Sequence, residues 1–220
     1  MRLAVQFGKL GRLRFISHLD LQRFMQMALR RTGLPVAYSQ GFNPHPVMSF
    51  ASALAMGTSS EAEMLEMKLA GDVTAEEGLL RMRSALPPEM PVYRARLLDD
   101  SHAALMALVR YAEYEIRVTD CPELLAAVPG YMAEKEVIAM RKTKSGEKPA
   151  DIRAMTRTLE AEGDSLHAVL QLTETHTLKP DLLIRTLAER AGVEVPQTRC
   201  HRVRLYAQRE DGSLVDLFDA

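Results

Sequence analysis

An α+β chain of two tandem domains, each with the element order β-α-β-β-α-β and an antiparallel sheet, is the fold class this sequence predicts. Three observations lead there. Short stretches alternate apolar and polar residues with period two, while others repeat apolar residues at helical spacing. Capping-box signatures mark two helix starts in the first half. The length of 220 residues fits two small domains better than one, since domains commonly run to roughly 100–150 residues.

The opening Met1-Arg2-Leu3-Ala4-Val5-Gln6-Phe7 alternates like a strand, and Gly8-Lys9-Leu10-Gly11 turns after it. Residues 12–16 are expected to be extended. Ser17-His18-Leu19-Asp20 has capping-box form with Asp20 in the usual Glu position, and Leu21, Phe24, Met25 and Ala28 follow at helical spacing until Gly33 ends the helix. Extended segments are expected at 35–39, 47–55 and 62–69, where Leu65, Met67 and Leu69 alternate with Glu66 and Lys68. Thr74-Ala75-Glu76-Glu77 opens a second helix that Pro87-Pro88 stops, and 91–97 closes as a strand. Residues 1–98 therefore read as a split-βαβ, or ferredoxin-like, domain with an extra strand or hairpin around 41–46.

A linker over 99–110 carries a helix from about residue 101. The same order recurs over 111–220. Tyr114, Ile116 and Val118 alternate, a helix spans about 122–129, and strand-like stretches surround 137–141, 152–159 and 166–172. Pro180 suits the first turn of a helix through Leu183 and Leu187 that Gly192 ends, and 202–206 supplies the last strand, paired with 213–217. The duplication is one of element order, without a residue-by-residue repeat.

Composition narrows the classes of function. Hydrophobic content of 47% and charged content of 26% suit a globular protein, and no apolar run approaches the roughly 18 residues of a membrane span. The start lacks the apolar region and cleavage site of a signal peptide, so no membrane partner and a cytoplasmic location are expected. Cys121 and Cys200 are the only cysteines, too few and too far apart for a zinc or cluster site, so no metal or cofactor is expected in this chain. The net charge of −1 conceals an uneven distribution. Residues 1–50 carry seven cations against Asp20 alone, 58–100 carry a net −4, 135–157 a net +4, and 199–209 four arginines with no acid.

The densest cluster of special residue types is Gly41-Phe42-Asn43-Pro44-His45-Pro46. Gly41 frees the backbone, Pro44 and Pro46 stiffen it as structural loop residues, and Asn43 and His45 are left as polar groups on a rigid turn. Such a turn reads as a binding site, with His45 presented to a ligand and Phe42 either plugging the core or stacking on a base. His18 reads equally as a first-turn helix residue or a ligand contact. Arg23, Arg30 and Arg31 read as a solvated helix face or as phosphate contacts, and Lys9, Arg12 and Arg14 flank a glycine turn suited to an anion. Arg141, Lys142 and Lys144 form a basic hairpin tip able to grip a phosphate backbone. The thirteen methionines read as core filler.

The stretch Phe7-Gly8-Lys9-Leu10-Gly11-Arg12-Leu13-Arg14-Phe15-Ile16-Ser17-His18-Leu19-Asp20, with Ala28 to Pro46 after it, resembles the radical SAM-linked protein family, a bacterial domain of unknown function. The resemblance covers essentially the whole chain, its specific motifs lying in residues 7–57, and Asp151-Ile152-Arg153 resembles a further motif. It implies a companion of radical S-adenosylmethionine enzymes, encoded beside or fused behind them near genes for ribosomal proteins and a ribonuclease. The tandem order is also similar to the CRISPR repeat-processing endoribonucleases, without their C-terminal glycine-rich loop.

Two functions from different classes follow as expectations. In the first, the chain is a noncatalytic accessory module that binds RNA (tRNA or rRNA), or a translation-related substrate, through a basic face. Its radical SAM enzyme partner carries the iron–sulfur cluster and S-adenosylmethionine, because this chain has no Cys-x3-Cys-x2-Cys motif. In the second, it is a metal-independent RNA-processing or RNA-modifying enzyme in which His18 and His45 act as acid and base. A third reading is small-ligand recognition under the 41–46 loop.

Overall fold

In the computed structural model, which describes residues 1–143 and 146–220, strand β1 (Arg2–Lys9) turns Leu3, Val5 and Phe7 to one side, where all are fully buried. The fold is α+β. Two units divide the chain, Met1–Val109 with Ala207–Ala220 and Arg110–Tyr206.

In the first unit β1 leads through a 3-10 turn (Gly11–Phe15) into α1 (His18–Thr32). The expected extended 12–16 is absent because Gly11, at φ +54°, bends the chain, and Leu13 and Ile16 donate to the carbonyls three residues back. The capping box at Ser17 forms, its hydroxyl accepting from Asp20 N at 3.1 Å, and Gly33 ends α1 at φ +65°. Then come β2 (Met48–Phe50), β3 (Ser59–Lys68), α2 (Ala75–Ala85), β4 (Val92–Leu98) and a short α3 (Leu105–Leu108) that is all of the expected 101–110 helix. The strand order is β4-β1-β3-β2, every pairing antiparallel.

Alternation along these strands sends Leu3, Val5, Phe7, Leu65 and Met67 toward the helices, where Leu21, Met25 and Leu29 of α1 and Met82 of α2 complete the core. A Cβ on Gly78 would come within 2.6 Å of the Leu3 side chain, so α2 packs closely on β1 there and a larger residue would require Leu3 to move.

The second unit contains β5 (Tyr111–Val118), α4 (Pro122–Ala126), α5 (Val128–Ala133), β6 (Ile138–Thr143), β7 (Gly146–Asp151), β8 (Thr156–Glu162), β9 (Ser165–Gln171), α6 (Pro180–Ala191) and β10 (Thr198–Gln208). Pro129 has no N–H for the preceding turn, so one expected helix becomes two short ones. The strand order is β10-β5-β9-β8, again antiparallel, and β6 and β7 pair apart as their own ribbon.

The chain ends in β11 (Leu214–Asp216) and a 3-10 turn (Leu217–Asp219) within the first unit. They cover the sheet face away from the helices. There Phe218 lies under the guanidiniums of Arg94 and Arg96, 4.4 and 5.4 Å from its ring centre, and Arg94 pairs with Asp216 at 3.1 Å. The same face holds the Arg2–Glu66 pair at 2.7 Å, with Ser49 donating to the same carboxylate.

Candidate functional site

The residues between α1 and β2 form a hairpin over 36–47. Its arms meet where Tyr38 bridges Pro46, and Val47 N donates to Ala37 O at 2.8 Å. Its root is tied to the end of β3, since Ala37 N donates to Lys68 O and Lys68 N to Val47 O. Pro46 is buried, while residues 40–45 are exposed.

Ser39 and His45 brace the tip. Ser39 N donates to His45 O at 2.9 Å, and His45 N donates to Ser39 Oγ at 3.1 Å. The imidazole Nδ1 lies 3.0 Å from the same hydroxyl and 3.4 Å from Asn43 O, which fixes the ring. Gly41 takes φ +124°, a region a side chain rarely enters, and nothing lies within 4 Å of where its Cβ would be. Phe42 follows with relative exposure of 106%. Of the two sequence readings, Phe42 is therefore displayed and does not plug the core.

Beside the N-terminus of α1, Phe15 is 60% exposed with the Arg14 guanidinium 4.6 Å over its ring. Arg12 is exposed. Leu19, Arg23, Met27 and Arg30 recur at helical spacing along the outward stripe of α1, and all are exposed. Arg23 lies 3.6 Å from Asp20, an exposed pairing that leaves its charge open to solvent. Arg31 is also exposed, with one nitrogen donating to Ala85 O at 3.3 Å.

Two expected phosphate ligands turn inward. Lys9 is fully buried and its ammonium donates to Ile16 O at 2.9 Å, so it holds the end of the 3-10 turn and does not face solvent. Arg141 donates to Thr175 O and Thr177 O at 3.3 and 3.4 Å, which fastens β6 to the 173–177 loop. Lys142 lies in β6, and Lys144 lies outside the described residues. The Asp151-Ile152-Arg153 motif is architectural. Asp151 Oδ1 accepts from the backbone N–H of Val137, Arg153 and Ala154, and Arg153 donates to Met132 O and Thr156 O. That turn delays β8 from the expected residue 152 to Thr156.

His18 and His45 have separate surroundings. The His18 ring packs edge-on against Phe50 at 5.2 Å, while His45 is held inside the hairpin tip. Burial pushes Tyr131, Tyr93 and Tyr206 upward, and the Arg117 guanidinium pulls Asp164 down. Cys121 is buried and Cys200 half-buried, neither is in a disulfide, and the described residues contain no group of three or more His, Cys, Asp or Glu placed to hold a metal ion. Among the described residues no helix is long and apolar enough to cross a membrane.

Sequence reasoning missed Ser39, the partner of His45. Its signal is positional, because Tyr38 and Pro46 face each other across the hairpin and Ser39 and His45 are the next pair inward. The exposure of Phe15 is not legible in the sequence, because 12–16 alternates like a strand and instead forms a 3-10 turn.

No curated protein matches the chain. A family described as uncharacterized proteins conserved in bacteria, DUF2344, matches residues 2–180, which takes in the hairpin, α1 and the Asp151 turn alike. Spanning most of the chain, that match shows that it belongs to this bacterial family.

Proposed function

We propose that the chain is a noncatalytic accessory module of a radical SAM enzyme and that it binds RNA through the arginine- and aromatic-bearing surface of its first unit. The carrying observation is the exposure of Arg12, Arg23 and Arg30 in the same stretch as the exposed rings of Phe15 and Phe42. Guanidiniums meet phosphates, and aromatic faces meet bases. The link to a radical SAM partner, which would supply the cluster and S-adenosylmethionine, rests on the sequence resemblance.

The strand orders β4-β1-β3-β2 and β10-β5-β9-β8 support reading each unit as ferredoxin-like, with a hairpin added between the first helix and the second strand. In that frame the helices cover one sheet face of the first unit, and the outward stripe of α1 is left for a ligand.

Fluorescence anisotropy of the purified chain with a labelled RNA tests the reading. Affinity is expected to fall steeply between 50 and 200 mM salt, with a log–log slope that Arg12→Glu/Arg23→Glu makes shallower. The RNA is expected to be recovered at full length after long incubation. Absent or salt-insensitive binding overturns the RNA reading, and cleavage by the chain alone overturns the noncatalytic one.

A further inference from the structure

We propose that the tip of the 36–47 hairpin recognises an unpaired base, so that the RNA bound by this module is single-stranded or looped at the point of contact. The inference rests on the RNA reading above and adds the class of RNA.

The hairpin has an unusual division of labour. Residues 33–47 contain no Asp, Glu, Lys or Arg, although residues 1–50 as a whole carry seven cations. A tip without Asp, Glu, Lys or Arg offers a phosphate no permanently charged side chain. What it offers is the ring of Phe42 at 106% exposure, the exposed amide of Asn43 beside it, and Gly41 without a side chain on the other flank. Of the large apolar side chains exposed in this protein, Phe42 has the highest exposure, and its face is open for stacking.

The base of the tip is braced. Ser39 and His45 close the tip through two backbone-donated bonds and an imidazole contact, and Pro44 fixes the backbone between Asn43 and His45. That bracing closes the loop from which the exposed Phe42 ring projects.

The face of a base inside a duplex is already covered by its neighbours, and only a base out of the stack can receive a ring. Asn43, with one amide donor group and one acceptor, is the polar group placed to meet the edge of the same base. Phosphates of the flanking nucleotides fall to the charged residues outside the tip, Arg12, Arg23 and Arg30. Base contact and charge contact are therefore separable by mutation.

The test uses the full chain, a twelve-nucleotide unstructured RNA carrying one 2-aminopurine, and the same strand annealed to its complement. The single strand is expected to bind at least ten-fold more tightly than the duplex. Phe42→Ala is expected to weaken single-strand binding roughly 5- to 150-fold, which is the ~1–3 kcal/mol of one base stack, and to remove the 2-aminopurine fluorescence change. Its salt slope should equal that of the unaltered protein, and Phe42→Trp should restore binding to within about two-fold. If Phe42→Ala binds the single strand normally while Arg12→Glu/Arg23→Glu does not bind, RNA binding stands and the base contact falls. Equal affinity for strand and duplex also overturns the inference alone. Failure of the unaltered protein to bind either RNA removes both readings.

Discussion

Two hairpins occupy the same place in the two units: 36–47 lies between α1 and β2, and β6 with β7 lies between α5 and β8. They are held in opposite ways. The first braces itself at its tip through Ser39 and His45, has no Asp, Glu, Lys or Arg, and displays Phe42. The second is fastened from outside, by Arg141 on the carbonyls of 175 and 177 and by Asp151 on three backbone N–H groups. A basic run in the sequence therefore does not locate a binding surface by itself. A cation is available to a ligand only where backbone carbonyls have not already claimed it, and Arg12, Arg23 and Arg30 meet that condition better than Lys9 or Arg141.

The largest expected effect breaks the comparison at its electrostatic end. Arg12→Glu/Arg23→Glu/Arg30→Glu should lower RNA affinity by about 100-fold or more at low salt, since three phosphate contacts become repulsions. Circular dichroism should be unchanged because all three side chains are exposed. Arg141→Ala should leave affinity within about two-fold and instead speed amide exchange over 138–143. An equal loss of affinity in Arg141→Ala would place the binding surface on the second hairpin.

Next in size is the fastening of the second hairpin. Asp151→Ala removes the acceptor of three backbone donors at 2.9, 3.1 and 3.4 Å and should cost about 2 kcal/mol in urea denaturation. Asp151→Asn keeps an acceptor and should recover at least half. A smaller loss is expected at the first hairpin, where Ser39→Ala releases the exposed His45 ring and backbone. Stability there should move by under about 1 kcal/mol, while RNA affinity should fall about 5-fold as the tip loosens. A stability loss at Ser39 as large as that at Asp151 would make the two hairpins equivalent scaffolding.

What the sequence disclosed follows from how local each determinant is. The caps of α1 and α2, the stop at Pro87-Pro88 and the helix from Pro180 depend on neighbours a few residues away, and all formed as expected. The 3-10 turn after Gly11 was misread because Arg12-Leu13-Arg14-Phe15 alternates like a strand, and a single positive φ decides otherwise. The special backbone of 41–46 is legible from Gly41, which takes φ +124°, and from Pro44 and Pro46. Its direction is not, since exposure of Phe42 depends on what the core lacks room for or need of. The inward turn of Lys9 and Arg141 was likewise invisible, because their partners are carbonyls, which every residue has.

A further effect concerns the root of the second hairpin, where Tyr131 is fully buried. Its hydroxyl donates to Ile152 O at 3.0 Å and lies 2.7 Å from Thr156 Oγ1, directly behind the Asp151 turn. Tyr131→Phe leaves Thr156 donating to the same carbonyl at 2.8 Å, so the cost near neutral pH should be only about 1 kcal/mol. Burial raises the phenol above its ordinary 10.0, so the unfolded chain loses that proton first as pH rises. The stability Tyr131 contributes is thus present below pH 10 and lost as pH climbs through the folded value. Urea midpoints at pH 8 and pH 10.5 should show the gap between Tyr131→Phe and the unaltered protein narrowing with pH. A Tyr131 gap that held constant would mean that the root of the second hairpin opens to solvent before the unit unfolds, and the contrast between a self-braced tip and an anchored base would then lose its second half.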